Sequence, residues 1–216
     1  MTHFDIPDKF QIPFFDHKKS LLGTIKSSSA RRKMNPLYFA YRKIRNIILY
    51  RLAFFCPINK WRIWMHRRRG CHIGEHVYVA QECSIDNAYP ELVYIEDYAS
   101  LNGGCTILCH TNVREHFDGI VNCEAAPVVL RHHCLVSIHC MLLPGAEIGE
   151  YSIVSANSVV GSKVPPCTMV IGNPAKKIYS YEEIIEENKF FSSIRVAHVF
   201  ALLGGWGFSF RSFLIE

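Results

Sequence analysis

The sequence predicts an all-β core in which short parallel strands coil around a triangular prism. Two observations predict it: a six-residue repeat between residues 73 and 165, and small residues at a fixed position in most repeats. A basic, aromatic-rich stretch precedes the repeat, and an apolar stretch follows it. We therefore expect an N-terminal basic amphipathic segment over 1–70, the coil over 71–178, and a C-terminal helix with an apolar tail over 179–216.

The repeat consists of aliphatic residues that recur at intervals of six in three blocks. They are Ile73, Val79 and Ile85; Ile95, Leu101 and Ile107; and Leu130, Val136, Leu142, Ile148, Val154 and Val160. Six residues advance an α-helix by about 600°, which would scatter these side chains around its axis. The pattern fits short strands with the aliphatic side chain pointing inward. One coil cannot bury its own inner face, so the coils must stack.

The fourth residue after each aliphatic is small in most repeats, and we expect it to turn the corner of the prism. This position holds Val77, Cys83, Ala99, Cys105, Thr111, Cys134, Cys140, Ala146, Ser152 and Ser158, with Tyr89 as the exception. Four of the nine cysteines are thereby assigned to the interior, where a free cysteine behaves as a compact hydrophobe. The chain has no CxxC pair, so we expect no thiolate zinc site.

The phase of the repeat is broken twice. A four-residue shift falls between residues 85 and 95, and a longer excursion occupies residues 108–129. The excursion carries His110, Arg114, Glu115, His116, Asp118 and Glu124. Loops extruded from a rigid scaffold are where catalytic groups tend to lie, so the sequence predicts the functional site in the loop over 108–129.

Two motifs carry a resemblance to a known family. The run over 142–160, LLPGAEIGEYSIVSANSVV, and the run GNPAKK over 172–177 resemble the hexapeptide-repeat acyltransferase superfamily. With ILCH at 107–110, the pattern is similar to sugar O-acetyltransferases of the maltose, galactoside and polysaccharide-modifying type. The resemblance covers half the chain. It implies a left-handed parallel β-helix, a homotrimer, a sugar or glycan acceptor, and acetyl-CoA bound between neighbouring subunits.

The resemblance also implies a histidine that acts as general base. His110 lies where the coil enters the loop, and a neutral imidazole, with an ordinary pKa near 6.5, suits proton removal from a sugar hydroxyl. His116 is the rival, because some relatives carry the base further into this loop. Asn102 and Glu124 are the expected acceptor contacts. The sequence does not choose which carboxylate orients the base among Glu115, Asp118 and Glu124.

The expected contacts to acetyl-CoA follow from the same resemblance. Small residues at the place of the usual Gly-Ala pair let pantetheine lie against the coil, and basic residues after the last coil approach the nucleotide phosphates. These contacts are Ser137, Ser155, Ala156, Gly172, Asn173, Pro174, Lys176 and Lys177. Ser137 stands where the family has glycine, and Leu135 stands where it has tryptophan.

Two other functions stay open at this point. A β-helix of this kind could be a binding or scaffold trimer without catalysis. Alternatively, His132, His133 and His139 could bind zinc, as in the γ-class carbonic anhydrases that share the fold. Their spacing does not match a metal site of that family in any obvious way, and the GNPAK ending favours coenzyme A chemistry. We therefore expect no metal.

The segment over 34–69 is interpreted as an amphipathic helix followed by a basic stretch. From Arg31 to Arg69 there are twelve Lys and Arg and no Asp or Glu, mixed with Trp61 and Trp64. Such a segment suits either a cap on the open end of the coil or contact with an anionic membrane surface. We find no signal peptide and no apolar run long enough to span a bilayer, which predicts a cytoplasmic protein, with the inner face of the membrane as an option. No nucleic-acid partner is expected.

Overall fold

The protein is seen in a computed structural model that describes residues 2, 4–13, 20–111, 113 and 120–181. Three helices precede the coil: α1 (Leu21–Arg31), α2 (Pro36–Phe55) and α3 (Asn59–Arg69). The amphipathic helix expected at the start of the segment over 34–69 is α2, and the basic stretch that follows it forms a further helix, α3. Pro57 lies between α2 and α3. The residue before a proline is biased away from helical geometry, so α2 ends at Phe55.

The strands are short, and most contain two residues. They are β1 (Phe10–Gln11), β2 (His72–Ile73), β3 (Tyr78–Val79), β4 (Ser84–Ile85), β5 (Val93–Ile95), β6 (Ser100–Leu101), β7 (Thr106–Ile107), β8 (Glu124–Ala125), β9 (Val128–Leu130), β10 (Leu135–Val136), β11 (Met141–Leu142), β12 (Glu147–Ile148), β13 (Ile153–Val154), β14 (Val159–Val160), β15 (Lys163–Val164), β16 (Thr168–Gly172) and β17 (Ala175–Ser180). A short 3₁₀ turn, Pro90–Leu92, precedes β5.

The strands form three parallel faces that the chain visits in rotation. Face A holds β2, β5, β9, β12 and β15; face B holds β3, β6, β10, β13 and β16; and face C holds β4, β7, β11 and β14. Within a face the repeat aliphatics of successive coils are aligned, as Ile73, Ile95 and Leu130 are on face A. The predicted core of stacked parallel strands is confirmed.

The interior of the coil is filled by the predicted aliphatic residues. All twelve are buried, and most have no exposed surface. Cys83, Cys105, Cys134 and Cys140 are buried among them as free thiols, as expected. Burial raises the pKa of Cys83 to about 11, which keeps that thiol protonated at neutral pH. Thr111 is the exception among the small positions: it is exposed, because the chain has already left the coil there.

The corners of the prism are turned one residue earlier than the sequence suggested. The third residue after the aliphatic has a positive φ, between 51° and 85°, at His76, Glu82, Tyr98, Gly104, His133, His139, Gly145, Tyr151, Asn157 and Cys167. A left-handed residue redirects the chain sharply, and non-glycine residues adopt it at a modest cost. The small fourth residue then points into the narrow interior of the corner, which is why it is small and buried.

Helix α3 closes the free edge of the first coil with polar side chains. Asn59 donates to the carbonyl of Val77 and accepts from the amide of Val79. Arg62 donates to the carbonyl of Val79 at 2.7 Å, and Arg69 donates to those of Ile85 and Asp86. An open strand edge leaves backbone groups unpaired, and these side chains satisfy them. Part of the basic stretch is thus structural, as the capping interpretation requires.

Two further segments pack on the coil. Strand β1 pairs antiparallel with β8, so residues near the N-terminus hold the far end of the extruded loop. At the other end, β16 and β17 form an antiparallel hairpin on face B. The expected C-terminal helix and apolar tail lie outside the described residues beyond Tyr181. None of the described helices is long and apolar enough to cross a membrane.

The buried His66 of α3 predicts a loss of stability in mild acid. Its Nδ1 accepts a hydrogen bond from Arg69 at 2.8 Å, and burial, followed by the charges of Arg69 and Arg62, lowers the pKa of His66 to about 3. The unfolded chain protonates this histidine near pH 6.5, so stability is lost as pH falls from there towards 3. We expect a loss of about 2 kcal/mol between about pH 7 and pH 5, measured by urea unfolding.

The control is the exposed His76. His76→Gln should keep the wild-type pH dependence, whereas His66→Gln should remove most of it. An unchanged pH dependence in His66→Gln would contradict the assignment.

Candidate active site

Both breaks in the six-residue phase leave the coil at the same corner. Ile85 on β4 and Ile107 on β7 are aligned neighbours on face C. The chain departs from the coil directly after each of them, and it returns on face A at β5 and at β9. The two excursions therefore emerge one coil apart at the corner between faces C and A. Residues that are distant in sequence meet at this corner.

The central contact of this corner is a hydrogen bond between Asp86 and His110. His110 Nδ1 lies 2.6 Å from Asp86 Oδ2. The Asp86 side chain is fully buried, and it also accepts from the backbone amides of Ala88, Tyr89 and Cys109 at 2.7–2.9 Å. Burial alone would raise the pKa of Asp86, but the hydrogen bonds from His110, Tyr89 and Cys109 outweigh it and hold the pKa below its usual value.

The pairing fixes the chemistry of the imidazole. A carboxylate can only accept, so His110 Nδ1 carries the hydrogen, and in the neutral ring Nε2 is left as the unprotonated nitrogen. The His110 side chain is 21% exposed, so part of the ring reaches solvent while Asp86 does not. A buried carboxylate that orients a partly exposed imidazole is an arrangement suited to general-base catalysis.

Asp86 is the candidate site residue that the sequence analysis missed. Of the expected carboxylates, Glu124 lies 3.4 Å from Lys9 Nζ, and Glu115 and Asp118 lie outside the described residues. The rival base His116 lies outside them as well. The sequence did contain a signal for Asp86. This residue directly follows Ile85, where the six-residue phase first breaks, one coil before the second break that leads to His110.

A network around Tyr89 supports the excursion that carries Asp86. The Tyr89 ring lies 5.3 Å from the His110 ring, and the Arg32 guanidinium lies 4.6 Å from the Tyr89 ring centre. Arg32 also donates to the carbonyl of Ala88 at 2.9 Å. Arg32 and Arg42 both pair with Glu91. The excursion is thereby tied to α1 and α2, which fixes the backbone that holds the carboxylate.

Two clefts meet at His110. One has a volume of about 330 Å³ and runs over face C, and it is lined by Lys43, Tyr50, Ser84, Ile85, Asp86, Asn87, Ala88, Ile107, Leu108 and His110. The other has a volume of about 580 Å³ and lies against α1 and α2, where Ile25, Phe39, Ile44 and Tyr89 are among its apolar walls. Both clefts therefore border the imidazole.

Two of the expected coenzyme A contacts, Ser137 and Ser155, lie with the expected acceptor contact Asn102 at a different corner of the same chain. Each of these three residues directly follows a strand of face B, so they form a column along the coil. The amide of Asn102 donates to the carbonyl of Val136, and the amide of Ser137 donates to that of Val154, both at 2.9 Å. This column lies between faces B and C, and none of its residues lines the clefts at His110. Asn102, an expected acceptor contact, therefore does not line either cleft within one chain.

The end of this column has features that fit a pantetheine chain and its nucleotide. Ser155 is buried, and its Oγ has no hydrogen-bond partner in the part of the chain that the structure describes. Ala156 follows it at the corner. Gly172, Asn173 and Pro174 form the turn between β16 and β17, and Gly172 has a φ of 106°, which favours glycine. Lys176 and Lys177 are exposed on β17 beside this turn.

The three histidines considered for zinc do not converge. His132 pairs with Glu150, and the His133 ring stacks between the rings of Tyr98 and Tyr151. His139 lies at the other corner, against Gly104. Over the described ranges, no group of three His, Cys, Asp or Glu side chains could hold a metal ion. These histidines therefore have structural surroundings, as corner and stacking residues.

Comparison with known proteins gives relatives at modest identity. The chain is 25% identical over 162 residues to YvoF of Bacillus subtilis, a protein named as an acetyltransferase, with 72% of this chain and 91% of the relative covered. It is 27% identical over 136 residues to WcaF of Escherichia coli, named as a colanic acid biosynthesis acetyltransferase, covering 55% of this chain and 74% of the relative. No model of a protein family matches the chain.

Solved structures share the fold. A hexapeptide-repeat acetyltransferase of Vibrio cholerae in complex with acetyl-CoA matches with a TM-score of 0.53 and 18% identity, over 66% of this chain and 88% of that one. A maltose O-acetyltransferase of Clostridium difficile matches with a TM-score of 0.53 and 19% identity, over the same shares. The predicted resemblance to hexapeptide-repeat acetyltransferases is confirmed, in sequence by the relatives and in fold by these structures.

The Asp86–His110 contact predicts the effect of Asp86→Asn. The amide can no longer act as an anionic acceptor for the imidazole, so the ring loses its fixed orientation, and we expect kcat to fall by about 10²-fold or more. The KM for acetyl-CoA should change little. Steady-state kinetics measure both values, and a thermal melt confirms that the variant is folded. Glu150→Gln, a surface carboxylate paired with His132, is the control. A wild-type kcat in Asp86→Asn would refute the role of the contact.

Proposed function

We propose that the protein transfers an acetyl group from acetyl-CoA to a hydroxyl of a sugar or glycan precursor, with His110 as general base. The observation that carries the proposal is the Asp86–His110 pair at the meeting point of two clefts. The acceptor class is supported by the relative named for colanic acid biosynthesis. A scaffold without catalysis has no use for a buried carboxylate that orients a partly exposed imidazole.

The proposed reaction is a direct transfer in a ternary complex. His110 Nε2 takes the proton of the acceptor hydroxyl as the oxygen attacks the thioester carbonyl. The tetrahedral intermediate then collapses with cleavage of the carbon–sulfur bond, and the imidazolium returns the proton to the departing thiolate of coenzyme A. The products are the acetyl ester and free coenzyme A. Holding both substrates in one cleft supplies much of the rate.

A covalent acyl-enzyme is disfavoured by the state of the nearby thiol. Cys109 is the cysteine next to His110, and it is fully buried, with its Sγ directed at the carbonyl of Leu92. Burial raises the pKa of Cys109 well above its usual value, and the Asp86 carboxylate raises it further. The thiol is therefore neither ionised nor accessible, and nucleophilic catalysis needs the thiolate.

We further propose a left-handed coil and a homotrimer with each active site between two subunits. The homotrimer is supported by the distance within one chain between the expected coenzyme A contacts and His110. Within one chain, the column of Asn102, Ser137 and Ser155 and the His110 imidazole lie at opposite edges of face C. A column from a neighbouring subunit could instead lie next to the imidazole. In this arrangement Asn102 belongs to the neighbouring subunit's column, and Glu124, half-buried on β8, is a contact for the acceptor.

The assay that tests this function is acceptor-dependent release of coenzyme A from acetyl-CoA, with a panel of sugars. His110→Ala should lower kcat/KM by about 10²- to 10⁴-fold, because general-base catalysis typically contributes that much. His116→Ala tests the rival base, and His72→Ala, an exposed histidine that stacks on Tyr94, is the control. Undiminished turnover in His110→Ala would refute the assignment of His110 as the general base.

The coenzyme A side has a separate test in Lys176 and Lys177. If they contact the nucleotide phosphates, the double change to glutamine should raise the KM for acetyl-CoA by about tenfold and leave kcat unchanged, since charge-assisted bonds of this kind contribute to ground-state binding. The variant should also lose any preference for coenzyme A over dephospho-coenzyme A as an inhibitor. An unaltered KM would show that the lysines are only a solvated charge pair.

A further inference from the structure

Helix α2 presents an apolar stripe to solvent. Six side chains recur at intervals of three or four residues, and each is more than half exposed, from 53% for Ile48 to 82% for Leu37. They are Leu37, Tyr41, Ile44, Ile48, Leu52 and Phe55. The buried residues of the helix, Phe39, Asn46 and Ala53, lie on the opposite side of a 3.6-residue turn. The stripe is therefore not the face that packs on the protein.

Helix α3 adds aromatic side chains to this exposed surface. Helices α2 and α3 pack against each other, and Ile58, Trp61 and Trp64 are each about half exposed or more. The Arg68 guanidinium lies 5.3 Å from the Trp64 ring. Exposed tryptophan beside arginine is typical of residues at a lipid–water boundary. We call the stripe of α2 together with these three residues the docking face.

The segment that forms the docking face carries charge of one sign. Residues 17–74 contain no Asp or Glu, and several of their basic side chains are exposed, among them Lys33, Arg51, Lys60, Arg67 and Arg68. A second copy of the chain on this face would bring like charges together. An anionic lipid surface instead complements both parts of the face, since lipid headgroups attract the basic residues and the acyl boundary accepts the apolar ones.

The docking face is continuous with the candidate active site. Ile44 belongs to the stripe, and with Ile47 it also lines the apolar cleft that reaches His110. We propose that the docking face binds the surface of an anionic bilayer, without spanning it, and thereby holds the cleft at the membrane. This inference does not depend on the proposed function, because the stripe, the tryptophans and the charge are observed independently of the Asp86–His110 pair.

Co-sedimentation of the full chain with vesicles tests the proposal. One set of vesicles contains phosphatidylcholine alone, and the other contains equal parts of phosphatidylcholine and phosphatidylglycerol. The wild type should bind the anionic set, with less binding as salt is raised, because the basic side chains are screened. The double variant Ile48→Glu/Phe55→Glu should lower the vesicle partition coefficient by at least about tenfold, since it places two carboxylates on the apolar stripe.

The matched control is Ile178→Glu, which places the same charge on an equally exposed isoleucine away from the docking face. It should bind as the wild type does, and thermal melts should show that both variants fold. Absence of wild-type binding, or equal binding by the double variant, would overturn the proposal. So would a change of oligomeric state in the double variant without any vesicle binding by the wild type. Acetyl transfer to a soluble sugar, measured in parallel, separates a failure of docking from a failure of the proposed function.

Discussion

The candidate site depends on the register between β4 and β7. Because Ile85 and Ile107 are aligned on face C, the residues that leave the coil after them emerge at one corner, with Asp86 in contact with His110. The positions of Asp86 and His110 do not depend on the two excursions alone. The coil sets the position of both, and the buried carboxylate then sets the orientation of the imidazole. A shift of one residue in this register would turn Ile85 outward and separate the pair.

The same repeat explains how much could be predicted from the sequence. The period of six identified the interior aliphatics and cysteines correctly, because burial constrains side-chain type directly. The corner was placed one residue late, because left-handed positions such as His133 and Tyr151 accept several residue types and leave no compositional signal. The prediction of His110 as the base came from the phase break. Asp86 was missed because its role depends on a strand alignment across a coil.

The N-terminal helices contain the residues on which both interpretations of the basic segment rest. Arg62 and Arg69 point inward and satisfy carbonyls of the first coil, while Arg51 and Arg68 lie outside with the apolar stripe. Residue type does not distinguish these arginines; the packing of α2 and α3 does. The helices also support the site, because Arg32 and Arg42 fix the excursion that carries Asp86. The same N-terminal helices therefore cap the first coil, carry the exposed apolar stripe and support the candidate active site.

The most direct test of this account is the tautomer of His110, observed by nitrogen-15 NMR of the imidazole at neutral pH. A ring that donates from Nδ1 to Asp86 must carry its hydrogen there and leave Nε2 free to accept a proton. The account predicts the Nδ1–H tautomer in the wild type and its loss in Asp86→Asn. An Nε2–H tautomer in the wild type would contradict it, because the nitrogen required as the base would already be protonated.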